Sequence, residues 1–191
     1  MQSKNKIVII ILSVLLLISI FFNVVLLYRE LRASGSYEDS AAEDSAVYEV
    51  SIGGKAPDFS AKLLTGDTFT LSENKGKVVF LNFWATWCGP CVAEMPAIQE
   101  LSETYADSVV FIGMNYAEDT KKVQDFVTKR GITYNIGIDE NGDIAKNLYP
   151  TTGIPYTLVI DAEGIISEIF LGGGDKMHDI FNSAITEALK R

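Results

Sequence analysis

The stretch "FLNFWATWCGPC", residues 80–91, holds both cysteines of the 191-residue chain, three positions apart and enclosing a Gly-Pro. Upstream, "KVVFLNFWA" is an apolar, β-rich run of the kind that forms a strand buried on both faces. Downstream, the pattern predicts a helix from about Cys91 to Tyr105. Cys88 therefore falls where a buried strand gives way to a helix, and Cys91 one turn inside it. The free amides and positive dipole end of a helix stabilise an anion, which makes Cys88 the candidate nucleophile. Gly89 permits a tight turn, and Pro90 at the first helical position gives up only an N–H that has no partner there. Cys91 is then placed to attack a mixed disulfide on Cys88.

Other uses of the pair fit less well. A zinc site needs four ligands, and two cysteines with one histidine do not complete one within the chain. A c-type haem attachment needs His where Val92 stands. A peroxidatic motif, Pro-x-x-x-Thr-x-x-Cys, needs Pro and Thr where Leu81 and Ala85 stand. A purely structural disulfide would close too short a loop to stabilise much. The formal net charge of −9 disfavours nucleic acid and anionic surfaces, so no nucleic-acid partner is expected.

Around this centre the chain divides into four parts. Residues 1–6 form a short tail. Residues 7–28, "IVIIILSVLLLISIFFNVVLLY", are uncharged and long enough to cross a bilayer as a helix. A cleavable signal peptide is the competing reading, but its apolar core is usually about 7 to 15 residues. Residues 29–50 are small, polar and acidic beyond Arg32, as expected of a flexible tether. Residues 51–191 carry 12 basic and 19 acidic side chains and alternate strand and helix patterns. "FSAKLL" and "TFTL" flank "TGD" as a hairpin. After the first helix come a strand "VVFIGMNY", a helix "DTKKVQDFVTKR", a strand "YNIGID", a short helix, and the strand pair "YTLVID" and "IISEIFL". A final amphipathic helix spans 175–190, with Met177, Ile180, Phe181, Ala184, Ile185, Ala188 and Leu189 on its apolar stripe and Asp175 as N-cap. The expected fold is α/β: a central mixed sheet flanked by helices, with an N-terminal β-hairpin extension and a transmembrane helix ahead of it. "GGGD", 172–175, lacks the context of a nucleotide-binding loop, and His178 reads as structural.

Glu94 stands out on helical phase alone. It shares the stripe of Cys91, Ile98, Leu101 and Tyr105, which faces the core. Burial there would raise its pKa and let it exchange a proton with Cys91. A solvent-facing acid in the first turn, favoured by the helix dipole, is the alternative.

"FWATWCGPC" resembles a thioredoxin-fold active site. The longer pattern "APDF…NFWATWCGPCVAEMP…GIPYTLVIDAEG" resembles the membrane-anchored TlpA/ResA-like thiol-disulfide oxidoreductases over roughly residues 53–190. The resemblance implies a thioredoxin-like fold and a cis peptide bond before Pro155. It implies a substrate peptide laid against Trp87, Gly89, Pro90, Ile154 and Pro155, and an active-site role for Glu94 in "CxxCxxExP". It further implies a single-pass protein of the bacterial cell membrane with its domain on the extracytoplasmic face. Such a protein needs no cofactor beyond the Cys88–Cys91 disulfide. Its partners would be exported protein thiols and disulfides, apocytochrome c among them, and a membrane thiol-electron transporter of the CcdA/DsbD type as reductant. The chain departs from cytoplasmic thioredoxins at Asn82, where those carry a buried aspartate. An amide cannot take a proton, so that burden moves to Glu94. Three rivals remain open at this stage: an oxidase that installs disulfides, a tethered binding module without catalysis and, third, a peroxidase.

Overall fold

The computed structural model describes residues 18–26, 29 and 50–191. The chain divides into two units, Met1–Ala46 and Val47–Arg191. In the first, residues 18–26 are helical and Asn23 donates to the Ser19 carbonyl at 2.7 Å, a bond within the helix. Among the described residues no helix is long and apolar enough to cross a membrane. The tail 1–6, the rest of the 7–28 run and, apart from Arg29 and Val50, the 29–50 tether lie outside the described residues.

In the second unit seven strands form one mixed sheet in the order β2-β1-β5-β4-β3-β6-β7. They are β1 (Ser60–Leu63), β2 (Thr68–Thr70), β3 (Val78–Trp84), β4 (Val109–Tyr116), β5 (Asn135–Asp139), β6 (Tyr156–Ile160) and β7 (Ile166–Leu171). Strands β3, β4 and β5 run parallel, while β6 is antiparallel to β3 and β7 to β6. The N-terminal hairpin β1–β2 joins antiparallel to β5, so it extends the sheet. Every residue of β3 is buried. Its period of two puts Val78, Phe80 and Trp84 in one apolar cluster and Val79, Leu81 and Phe83 in the other. Asn82 falls in phase with Phe80 and Trp84, a polar residue on an otherwise apolar face.

Three α-helices follow in chain order: α1 (Gly89–Thr104), α2 (Thr120–Arg130) and α3 (Met177–Ala188). All three send side chains into the Phe80–Trp84 cluster, including Met95, Ile98 and Leu101 from α1 and Phe181 and Ile185 from α3. The other cluster is closed by Phe59, Leu71 and Tyr149, with Ala145 from a single π-helical turn, Ile144–Leu148. That turn is the expected short helix, held at its start by the Asp139 carboxylate, which accepts from Ile144 N–H at 3.2 Å and Ala145 N–H at 2.9 Å.

Several expectations need correction. Helix α1 begins at Gly89, not Cys91, because Pro90 fits the first turn and Cys88 serves as its cap. Helix α3 is shorter than 175–190, and Asp175 does not cap it: the cap position is Lys176, in a left-handed conformation with φ 67° and no side-chain cap bond. Ile180 and Leu189, assigned to its buried stripe, are exposed. The stripe of α3 meets the sheet over fewer residues than the apolar pattern offers.

Candidate active site

Cys88 follows the β3 terminus and caps α1, with extended φ and ψ of −85° and 101°. Its Sγ accepts from the Cys91 N–H at 3.2 Å, and its carbonyl accepts the first helical bond, from Val92 N–H at 3.1 Å. Cys88 and Cys91 are joined in a disulfide with Cα atoms 5.3 Å apart. Both cysteines are buried, Cys88 at 5% exposure and Cys91 at 1%, so Cys88 is the less enclosed of the two. Opposite it the Ile154–Pro155 peptide bond is cis, and the Ile154 carbonyl oxygen lies 3.6 Å from Cys88 Sγ. Pro155 is buried and its carbonyl accepts from Gly172 N–H at 2.8 Å.

Trp87, Gly89 and Pro90 are exposed around the disulfide, and Ile154 is half-buried. Trp87 and Ile154 also border an open groove of about 540 Å³ that runs past Tyr116, Lys146, Pro150 and Thr152. Thus the residues expected at the substrate edge meet around one sulfur, although Ile154 and Pro155 come from a segment more than sixty residues away. Among the described residues no cluster of three or more His, Cys, Asp and Glu side chains could hold a metal ion.

Glu94 lies on the α1 face that carries Cys91 and is 4% exposed. Its Oε1 accepts from Asn82 Nδ2 at 2.9 Å, and the same amide nitrogen donates to Thr157 Oγ1 at 2.8 Å. Both amide hydrogens of Asn82 are thereby committed. Glu94 Oε2 is buried without a partner. Burial pushes the Glu94 carboxyl from its ordinary 4.5 up to about 7, against the smaller downward pull of the Asn82 hydrogen bond. Glu94 is therefore buried with a raised pKa, as its helical phase predicts, and Asn82 supplies the donor that keeps the carboxyl in place. Tyr134 is held un-ionised beyond its normal range, first by burial and second by the Glu94 charge.

One carboxylate escaped the sequence reading. Glu118, 6% exposed, accepts from Thr86 N–H at 2.6 Å, Thr86 Oγ1 at 2.6 Å and Asn115 Nδ2 at 2.9 Å. Lys122 Nζ, on a half-exposed side chain, completes the set at 2.6 Å. Burial alone would raise its pKa, but the donors Lys122, Thr86 and Asn115 together outweigh it and hold the group at about 2. Glu118 thus pins Thr86, two residues before Cys88, to the end of β4. A signal was present in "YAEDTKK": two adjacent acids follow a strand, yet one, Asp119, suffices as N-cap by accepting from Lys122 N–H at 3.1 Å.

A cysteine pair at a strand–helix junction, beside a cis-proline at the edge of a five-stranded core with an added hairpin, narrows the comparison with known proteins. The family model described as Redoxin matches residues 51–185. The chain belongs to the Redoxin family. Among its relatives, the thioredoxin-like protein YneN of Bacillus subtilis (strain 168) is 41% identical over 123 residues, 63% of this chain and 71% of that protein. The thiol-disulfide oxidoreductase ResA of Geobacillus kaustophilus (strain HTA426) is 40% identical over 124 residues, 64% of this chain and 71% of that one. The crystal structure of a DsbF homologue from Corynebacterium diphtheriae superposes with a TM-score of 0.64 at 30% identity, covering 72% of this chain and 90% of the other. Within the Redoxin family the chain is a thioredoxin-like thiol-disulfide oxidoreductase of the TlpA/ResA type.

Proposed function

We propose that the protein is a membrane-tethered reductase of disulfides in exported proteins, with Cys88 as nucleophile, Cys91 as resolving thiol and Glu94 as proton carrier. The Cys88 thiolate attacks a substrate disulfide and one substrate sulfur leaves as thiolate. Cys91 gives its proton to the Glu94 carboxylate and attacks Cys88 Sγ, closing the Cys88–Cys91 disulfide and expelling the second substrate thiolate. Two enzyme thiols are oxidised while one substrate disulfide is reduced, and no cofactor beyond the disulfide is needed.

The observation that carries the reductive direction is the set of groups around the sulfurs. Cys88 Sγ has one N–H donor, from Cys91, set against the Ile154 carbonyl at 3.6 Å. Glu94 adds a carboxyl one turn along α1. The Ile154 carbonyl and the Glu94 carboxylate oppose the helix N-terminus in stabilising a Cys88 thiolate, and that opposition favours the disulfide form of the couple and a reducing dithiol. Trp87, Gly89, Pro90, Ile154 and Pro155 would receive the substrate chain in an extended conformation.

The apolar run 7–28 supports a single-pass anchor, and residues 29–50 a tether, with the domain 51–191 on the extracytoplasmic face of a bacterial membrane. In that place the oxidised enzyme needs a dithiol donor, for which a membrane thiol-electron transporter of the CcdA/DsbD type has the right chemistry. Apocytochrome c, which must present reduced cysteines before haem attachment, is a fitting substrate. A Cys91→Ser variant tests the scheme: it should hold the substrate covalently on Cys88, and cysteine-free eluates would refute it. Equilibration of the wild-type couple with glutathione fixes the direction, since a strongly oxidising potential would assign the protein to disulfide formation. Full in vivo function after replacement of both cysteines would instead establish a binding module.

A further inference from the structure

The glycine run Gly172–Gly174 has no part in the scheme above, yet it lies against the site. The run is exposed throughout, and Gly172 ties it to the Pro155 carbonyl. At Gly173 an added Cβ would lie 3.3 Å from Glu94 Oε2, 3.3 Å from Pro90 Cβ and 3.3 Å from the Pro90 carbonyl oxygen. That spacing is tight for a methyl group, and one neighbour would have to give way. The backbone itself does not demand glycine here, because Gly173, unlike Gly172 at φ 84°, is outside the left-handed region. The space does. Gly174, next in the chain, faces nothing within 4 Å.

Glu94 Oε2 is the oxygen with no hydrogen-bond partner, so the exposed Gly173 lies directly on the unsatisfied end of a buried carboxyl. A buried polar atom left open toward a thin, side-chain-free cover is where water can reach it during small local movements.

We propose that Gly173 is the proton port of Glu94: its missing side chain leaves the gap through which water removes the proton that Glu94 takes from Cys91. This rests on the reading of Glu94 as proton carrier. In each turnover the Cys91 S–H proton passes to Glu94, and the Cys91 sulfur forms its bond to Cys88 Sγ as the substrate thiolate departs with the electron pair. Glu94 then sheds the proton to water at Gly173, and the departing thiolate takes one from solvent. The other sides of Glu94 offer no such route. Asn82 from β3 has both amide hydrogens committed, Cys91 lies one turn back on α1, and Tyr134, ahead of β5, is buried with its hydroxyl unpartnered. His178 of α3 is turned to Glu100 at 3.7 Å.

The test uses Gly173→Ala, Gly173→Ser, Gly174→Ala and Glu94→Gln in the full-length chain. The Glu94 pKa is read by carboxyl NMR on the oxidised form, and the exchange rate as a function of pH on the cycling enzyme. A methyl at 173 excludes water and should raise the Glu94 pKa by about one unit, cutting the ionised fraction and the rate near pH 7 about fivefold. A Ser hydroxyl at the same place can donate to Oε2, favours the charged form, and should lower the pKa below that of the wild type. Gly174→Ala should match the wild type in both readouts. A role in packing alone would move the Ala and Ser variants in the same direction or leave Glu94 unmoved. Either result, with Glu94→Gln still removing the inflection, overturns the port and spares the proton carrier. A pH–rate profile unaltered by Glu94→Gln overturns both. The Ser variant keeps the sign of the test readable if the Ala variant does not fold.

Discussion

Glu94→Gln should make the oxidised protein less stable in acid and more stable in base than the wild type. In the fold the Glu94 carboxyl titrates at about 7, against 4.5 for the ordinary group, so folding favours its neutral form. Stability tied to that group is complete below pH 4.5 and is lost as the pH rises to and through 7. At roughly 1.4 kcal/mol per pH unit the whole loss is about 3 kcal/mol, of which about 2.5 falls between about pH 5 and pH 9. Glutamine keeps the oxygen that accepts from Asn82 but puts an NH2 where Oε2 now lies unpartnered. That exchange costs about 1 kcal/mol at every pH. The two stability curves should therefore cross near pH 5, where the wild type has lost about 1 kcal/mol. Urea unfolding of both proteins in the disulfide form, at a series of pH values, measures the difference with the cysteines silent and every other titration common to both. A constant offset between wild type and variant across the range would show that Glu94 is not a buried neutral acid, and the proton-carrier role would lose its physical basis.

Replacing Glu118 by Ala should cost about 2–3 kcal/mol, because it removes a buried acceptor that serves Thr86, Asn115 and Lys122. Since Glu118 titrates at about 2 when folded, its contribution is present above pH 4.5 and lost as the pH falls toward 2, so the variant should show a shallower acid limb in thermal melts. Trp87→Ala, at a side chain 64% exposed, should change stability by no more than about 0.5 kcal/mol while raising KM for protein disulfides and sparing small disulfides. Equal loss on both substrates would remove Trp87 from the substrate edge. Tyr149→Phe should cost about 1–2 kcal/mol, since the buried hydroxyl donates to the Pro57 carbonyl at 2.5 Å, and an unchanged melting temperature would refute that bond.

The part of this site that sequence makes legible is the part governed by short-range geometry. Cys88, Cys91 and Glu94 lie within two turns of a helix whose start is marked by a buried strand and a proline. Helical phase alone therefore predicts that Glu94 turns inward with Cys91. Asn82 stands out in the sequence only through the resemblance to thioredoxins, and the period of β3 fixes its face but not its partner. What sequence spacing does not carry is the closure of loops over that frame. Glu118 reaches Thr86 across 32 positions, and Gly173 reaches Glu94 only because β6 and β7 return the chain to the far side of the CGPC turn. Neither contact has a periodic signature, since each depends on where a loop comes to rest after the sheet has formed. The same cause explains the misread start of α3: the sequence offers an acid, Asp175, in a suitable place for a cap, but the glycine run ahead of it is drawn toward Pro155 and Pro90, and the helix begins one residue past a left-handed Lys176. The loop that frustrates the helix prediction is thus the loop that covers Glu94, and the displaced cap and the bare Gly173 are two consequences of one packing demand at the disulfide.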